Sequence, residues 1–166
     1  MNYFRDVANL VIWILPASKC FPLKRFLLKL AGVEVGQDAK VNGHTWFYGR
    51  GQVRIGARTW IGPGCQFHST YGTTIEIGAD CDIAPCVMFV TGSHKIGSSA
   101  RRAGEGYAQN VTIEKGCWLG ARVTVLGNVT VGHGSFVGAG SLVNADVAPC
   151  SLAAGVPAKL KRSFED

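Results

Sequence analysis

A chain of 166 residues is long enough for one domain with a small appendage. Its formal net charge of +6 suits a phosphate-bearing cosubstrate or an anionic membrane surface. The basic residues are scattered, without a groove-reading module or an aromatic-interleaved patch, so we predict no nucleic-acid partner. The 22 glycines are more than average, but they fall at the corners of a sequence repeat, which argues against a low-complexity chain.

Residues 1–32 carry no repeat and are predicted to form an N-terminal helical cap. The apolar run 7–15 is too short to span a bilayer, and Pro16 ends it. The run also lacks the basic segment and cleavage site of a signal peptide. A second helix is indicated by one apolar face, formed by Leu23, Phe26, Leu27 and Leu30. Two interpretations stay open: a cap that covers the end of the following repeat, and a basic amphipathic element that rests on a membrane surface.

Downstream of this segment, an aliphatic or aromatic residue returns every six positions. The C-terminal run has no gap, with Ile113, Leu119, Val125, Val131, Val137 and Val143. A period of six fits neither an α-helix nor a lone strand, and it is typical of solenoids built from stacked parallel strands. Fifteen such positions make about five coils of three faces. We therefore predict a solenoid over residues 33–150 and a short C-terminal tail or helix over residues 151–166.

The repeat is interrupted three times, each time after the third face of a coil. The intervals 47–55, 67–77 and 89–113 exceed six residues by two, four and eighteen residues. Because stacked coils superimpose their corners, all three insertions are expected on one edge, where insertions commonly build a binding surface. The longest insertion, residues 94–109, is rich in Gly, Ser and Arg and is predicted to be a functional loop.

Three of the six cysteines occupy one repeat position. Cys65, Cys81 and Cys117 each follow a repeat aliphatic by four residues, a place held elsewhere by Ala, Thr, Ser or Val. Reduced cysteine suits such a small position, which favours a cytoplasmic setting over a disulfide framework. Cysteine and histidine spacings typical of zinc sites do not occur in the sequence, so we predict no metal.

Four strings occur in a fixed order: Thr91-Gly92-Ser93-His94, Cys117-Trp118-Leu119-Gly120-Ala121, Val137-Gly138-Ala139-Gly140-Ser141 and Ala154-Gly155-Val156-Pro157-Ala158-Lys159. With the Ile-Gly repeats, they resemble the hexapeptide-repeat acyltransferases over residues 33–162. The closer similarity is to the galactoside/maltose acetyltransferase and polysaccharide O-acetyltransferase branch. The resemblance implies an all-β, left-handed parallel β-helix, a homotrimer with active sites between subunits, and acetyl-CoA as the acyl donor.

His94 opens the longest insertion and is the candidate catalytic residue. A sugar hydroxyl needs a base before it attacks a thioester, and imidazole accepts protons near neutral pH. By the resemblance, His94 is that base and transfer is direct. His68 opens the four-residue insertion on the same edge and is a candidate acceptor-binding residue. For Arg101 and Arg102 two interpretations stay open. They contact a charged acceptor or the cosubstrate phosphates, or they are exposed loop residues without a role.

The resemblance also implies a set of cosubstrate contacts. Trp118 matches the family tryptophan near the reacting end of the cosubstrate. Ala121 and Ala139 match the main-chain positions along the pantetheine arm. Lys159 and Arg162 match the basic positions at the phosphate and adenine end. The chain departs from the family pattern at Asn144-Ala145, where members often carry Thr-Lys. Lys161 and Arg162 are the candidates to replace that lysine.

The favoured function is therefore an O-acetyltransferase that acts on a sugar hydroxyl in surface-polysaccharide or lipopolysaccharide biosynthesis. It would work in the cytoplasm or at the inner face of the membrane. The close alternative is acetylation of a free sugar, a sugar-nucleotide amine or another small acceptor. A γ-type carbonic anhydrase shares this solenoid but needs two histidines five positions apart, which the sequence lacks. A solenoid scaffold without catalysis is the remaining alternative.

Overall fold

A computed structural model describes residues 3–165. Two helices open the described chain, α1 (Tyr3–Ile14) and α2 (Phe21–Leu30). Short strands follow as β1 (Val33–Val35), β2 (Lys40–Val41), β3 (Trp46–Gly49), β4 (Gln52–Ile55), β5 (Trp60–Ile61), β6 (Gln66–Ser69), β7 (Thr74–Ile77), β8 (Asp82–Ile83), β9 (Met88–Val90), β10 (Gly92–Ile96), β11 (Ala103–Ala108), β12 (Val111–Ile113), β13 (Trp118–Leu119), β14 (Thr124–Leu126), β15 (Val129–Val131), β16 (Phe136–Val137), β17 (Leu142–Val143), β18 (Ser151–Gly155) and β19 (Ala158–Ser163).

The short strands stack into three parallel sheets that are the faces of a left-handed β-helix. The first face is ordered β1-β4-β7-β12-β15, the second β2-β5-β8-β13-β16-β18, and the third β3-β6-β9-β14-β17. Five coils are complete, which confirms the predicted fold. β18 and a bridge between Val131 and Val147 add two faces of a sixth coil.

The repeat positions fill the interior of the β-helix. The phenylalanines of the third face stack on one another, with ring centroids 4.8 Å apart for Phe47 and Phe67 and 5.0 Å apart for Phe67 and Phe89. Aliphatic repeat residues of the other faces, such as Ile61 and Leu119, are fully buried. Each contributes about 1.5–3 kcal/mol by leaving water. The three repeat cysteines are buried among them.

The three insertions emerge on one edge, between the third face and the first, as the spacing predicts. We call this the insertion edge; it comprises residues 49–51, residues 70–73 and the β10–β11 hairpin. Its layers bond directly to one another. Gly51 N donates to Ser69 O at 2.9 Å. Thr91 Oγ1 accepts from Thr70 N at 2.8 Å and lies 3.0 Å from Thr73 Oγ1.

Helix α1 closes the open end of the third face with polar side chains. The amide of Asn9 donates to Phe47 O at 3.0 Å and accepts from Phe47 N at 3.1 Å, as a neighbouring strand would. The buried guanidinium of Arg5 donates to Gly49 O at 2.9 Å and to Gly51 O at 3.2 Å. Burial lowers the pKa of Arg5 below its ordinary value. The helix is therefore fastened to the solenoid by hydrogen bonds between its polar side chains and backbone groups at the end of the third face.

Helix α2 turns a lysine inward and much of its apolar face outward. Lys24 is fully buried, and its Nζ donates to Pro16 O at 2.8 Å and to Ala17 O at 2.7 Å. Leu23, Phe26 and Leu30 remain exposed. The apolar face expected from the sequence is thus not the face that packs on the solenoid. No helix within residues 3–165 is long and apolar enough to cross a bilayer.

The C-terminal residues form a β-hairpin, where the sequence suggested a tail or helix. β18 extends the second face in parallel with β16, and β19 then folds back antiparallel on β18. The parallel pairing of Leu152 with Phe136 carries the second face one strand beyond the last complete coil.

Candidate active site

His94 is positioned by the β10–β11 hairpin on the insertion edge. It pairs with Gly106 across the hairpin, and a register shift follows between His94 and Ile96. Its Nδ1 lies 3.0 Å from the carbonyl oxygen of Gly104. Because a carbonyl only accepts hydrogen bonds, Nδ1 must carry the proton, and Nε2 is left with a free lone pair. The hairpin thus holds the imidazole in the tautomer that a general base requires.

His94 lines an open cleft on the insertion edge. The cleft has a volume of about 500 Å³ and is bounded by residues 70–73, residues 92–94 and residues 106–108 of the hairpin. The imidazole is exposed, and so is Tyr107 on the opposite strand. A group that enters this cleft from outside can therefore reach the ring without movement of a covering element.

His68 lines an adjoining cleft of about 420 Å³, together with Tyr48, Arg50 and Tyr71. Its ring stacks on Tyr48 with centroids 4.6 Å apart, and its Nε2 lies 3.0 Å from Gln66 Oε1. Burial lowers the pKa of His68 below its ordinary value, so the ring is neutral at pH 7. The turn at residues 70 and 71 lines both clefts, which places the two histidines on either side of it.

The hairpin tip carries the two arginines singled out in the sequence. Arg101 and Arg102 are both exposed. Arg102 Nη1 donates to Gly97 O at 3.1 Å, so this side chain braces the tip. A pair between Lys95 Nζ and Glu105 Oε2 at 2.7 Å links the two strands. These contacts stabilise the hairpin that carries His94.

The candidate cosubstrate residues lie on and beside the second face. Trp118 is about half exposed and stacks on Phe136, one coil further along, with ring centroids 4.1 Å apart. Ala121 and Ala139 follow at the next corner and lie one above the other, since Gly140 N donates to Ala121 O at 2.8 Å. We call this the alanine corner. Phe136 was not expected from the sequence as the stacking partner of Trp118, although their spacing of eighteen residues, or one coil, could have revealed it.

The two cations lie on β19 beside this corner. Lys159 pairs with Ala154 in the C-terminal hairpin and is exposed. Arg162 pairs with Leu152, and its guanidinium carbon lies 5.9 Å from the ring centroid of Phe164. Both side chains thus belong to the sheet that presents Trp118, at the C-terminal end of the solenoid.

Within one chain, His94 and the alanine corner lie at different corners of the β-helix. The corner of Ala121 joins the second face to the third, whereas the insertion edge joins the third face to the first. The third face therefore separates the candidate base from the candidate cosubstrate contacts. Across residues 3–165, no group of three or more His, Cys, Asp or Glu residues is placed to hold a metal ion.

The chain matches proteins of known class over most of its length. The family model "Bacterial transferase hexapeptide (six repeats)" matches residues 110–145. The galactoside O-acetyltransferase of Escherichia coli strain K12 is 32% identical over 140 residues, 84% of this chain and 68% of that enzyme. Other curated relatives are matched over about half of their own length.

Two solved structures extend the likeness to the fold. A hexapeptide-repeat acetyltransferase of Vibrio cholerae O1 biovar eltor, complexed with acetyl coenzyme A, superimposes with a TM-score of 0.83 at 29% identity, covering 99% of this chain and 87% of that one. The polySia-specific acetyltransferase NeuO superimposes with a TM-score of 0.69 at 31% identity, covering 79% of this chain and 61% of that one. The chain belongs to the hexapeptide-repeat acetyltransferase family and is an acyltransferase.

Proposed function

We propose that this protein transfers the acetyl group of acetyl-CoA to a sugar hydroxyl in surface-polysaccharide or lipopolysaccharide biosynthesis. The observation that carries the proposal is the imidazole of His94, which lines an open cleft and whose Nδ1 is hydrogen-bonded to Gly104 O. The acceptor oxygen bonds to the thioester carbonyl carbon and gives its proton to Nε2. The carbon–sulfur bond breaks, and the coenzyme A thiolate leaves with the proton that His94 returns.

The donor site is supported by the surface around the alanine corner. The Vibrio cholerae relative binds acetyl coenzyme A and superimposes on 99% of this chain. Here the exposed face of Trp118 offers an apolar platform, and the small side chains of Ala121 and Ala139 leave the backbone open to an extended ligand. Lys159 and Arg162 supply positive charge for phosphates at the end of that surface. These residues fit the thioester, pantetheine and nucleotide parts of acetyl-CoA.

A homotrimer would bring the two corners together. His94 lies on the insertion edge and Trp118 on the second face, so one chain alone separates its candidate base from its candidate donor site. Packing the insertion edge of one chain against the alanine corner of its neighbour would complete a site between them. Closed cyclic symmetry repeats such a contact three times. We therefore propose three equivalent active sites, each shared by two chains.

A saccharide chain is the acceptor that the open cleft favours. The clefts of His94 and His68 adjoin along the insertion edge, and aromatic rings line both, which suits several sugar residues laid end to end. NeuO, one of the relatives, is specific for polySia. The buried thiols of Cys65, Cys81 and Cys117 fit the reducing cytoplasm, where we place the reaction.

An acceptor panel tests the function. The purified protein is incubated with acetyl-CoA and, in turn, an oligosaccharide of a surface polysaccharide, free galactose or maltose, and a nucleotide-linked amino sugar. Thiol release measures turnover, and mass spectrometry with hydroxylamine treatment separates esters from amides. We expect a hydroxylamine-labile ester on the oligosaccharide. Preferred turnover of free sugar or amino sugar would instead establish the small-acceptor alternative, and no thiol release with any saccharide would contradict the proposal.

A further inference from the structure

Helix α1 has an inverted polarity for a helix that covers a protein core. Its buried side consists of Arg5, Ala8, Asn9 and Ile12, so two of the four inward residues are polar. Its outward residues are apolar apart from Asp6: Tyr3, Phe4, Val7, Leu10, Trp13 and Ile14 are each more than half exposed. Apolar residues this numerous on one exposed face mark an interaction site.

Helix α2 repeats the inversion independently. Its inward residues are Lys24 and Leu28, whereas Leu23, Phe26 and Leu30 project outward at a spacing of three and four residues. That spacing places them in one stripe along the helix. Both helices of the cap therefore turn polar groups inward and leave an apolar stripe on the outside. Those of α1 bond to the solenoid, whereas Lys24 of α2 bonds to the bend between the helices.

The charge of the cap indicates what lies against these stripes. Residues 1–32 hold five of the 17 basic residues and one of the 11 acidic residues. Arg5 and Lys24 are buried, so the accessible charges are those of Lys19, Arg25, Lys29 and Asp6, which leave the outer surface of the cap net positive. Lys19, between the helices, and Lys29, beside the outer stripe of α2, are exposed. Trp13 is exposed near the end of α1, and tryptophan favours the level of lipid headgroups. An apolar stripe flanked by lysines and an aromatic ring is typical of helices that lie in an anionic bilayer surface.

We propose that α1 and α2 dock this protein on an anionic membrane surface, with their exposed apolar stripes in the headgroup region and Lys19 and Lys29 against the lipid phosphates. The α1 stripe, twelve residues at about 1.5 Å each, is about 18 Å long and lies along the surface without crossing it. Docking through the cap does not depend on acetyl transfer. It implies a polymer or lipid-linked acceptor presented at the membrane.

Vesicle binding of the full chain tests the docking. We expect co-sedimentation with phosphatidylcholine vesicles that contain phosphatidylglycerol, and much weaker binding without it. Val7→Glu/Leu10→Glu should reduce the partition coefficient about tenfold or more, because two charges enter the apolar stripe. Lys19→Glu/Lys29→Glu should remove the preference for phosphatidylglycerol. Brominated lipid should quench a fluorescence component that Trp13→Phe removes.

The matched control places the same charges at the other end of the solenoid. Val156→Glu/Leu160→Glu substitutes two exposed apolar residues of the C-terminal hairpin and should bind vesicles nearly as the wild type does. Thiol release by Val7→Glu/Leu10→Glu on a soluble acceptor should stay unchanged, which separates loss of docking from loss of catalysis. Wild-type protein that stays in the supernatant with anionic vesicles would overturn the proposal. So would a Val7→Glu/Leu10→Glu variant that binds vesicles normally but loses a chain-to-chain contact in light scattering.

Discussion

Replacement of His94 by alanine tests the proposed chemistry most directly. Loss of a general base commonly lowers turnover about 100- to 10,000-fold, or about 2.7–5.4 kcal/mol of transition-state stabilisation at about 1.36 kcal/mol per tenfold. We expect His94→Ala to lie in this range. Folding should be little affected, because the imidazole is exposed and its hydrogen bond to Gly104 O lies at the surface of the hairpin.

The assay follows release of the coenzyme A thiol at saturating acetyl-CoA, with acetyl-CoA affinity measured separately by calorimetry. We expect kcat to fall and the affinity to change little, since the candidate donor contacts lie at another corner. His133→Ala is the matched control: this histidine is also exposed, but it follows the first face and contacts Glu114 at 3.3 Å. If His94→Ala retains turnover within about threefold of the wild type, or if His133→Ala loses as much, His94 is not the base.

Three further predictions concern the donor surface, the cap and the thiols. Trp118→Ala should raise the KM for acetyl-CoA about tenfold with little change in kcat, because the cosubstrate loses an apolar platform. An unchanged KM in steady-state assays would show that the cosubstrate binds elsewhere. Asn9→Ala should lower the free energy of unfolding by about 2–4 kcal/mol in urea titrations, because two buried backbone groups lose partners, whereas exposed Asn144→Ala should have little effect. Burial raises the pKa of Cys65 to about 12, so a thiol reagent at pH 8 should not modify it in the native protein. The exposed thiols of Cys20 and Cys86 should react under the same conditions. Fast modification of Cys65 would refute its burial.

The solenoid could be predicted because its repeat is enforced by burial. The residue at every sixth position points inward and must be apolar. Phe47, Phe67 and Phe89 therefore identify the third face from the sequence alone, and all three are buried. The insertion edge follows from the same argument, since the repeat resumes only when the chain returns to the first face. His94 could therefore be assigned to this edge from its place in the sequence. His68, expected to open the second insertion, lies instead in β6 of the third face, two residues before the turn at residues 70–73, because the strand continues through Ser69.

Two features depend on contacts between distant segments and could not be predicted. Lys24 turns inward and donates to the carbonyl groups of Pro16 and Ala17 at the bend between the helices. These carbonyls also accept from the backbone N–H groups of Lys19 and Gly43, so the lysine joins a bend that is already hydrogen-bonded. The helical periodicity of α2 alone predicts its apolar residues, and not Lys24, on the buried side. Likewise, the tautomer of His94 is set by Gly104, ten residues away across an antiparallel hairpin whose register the sequence does not reveal.

The amide of Asn9 has a consequence for how solenoids of this kind associate. The first strand of the third face would otherwise end the sheet with unpaired backbone groups, and such an edge invites a strand from another molecule. Asn9 occupies the hydrogen-bonding groups of Phe47 on that strand. At the far end, β19 turns back antiparallel and ends the second face. The Asn9 contact and the β19 strand both oppose end-to-end stacking of one β-helix on the next into a fibre. The three faces and the corners between them remain as the surfaces through which copies can associate.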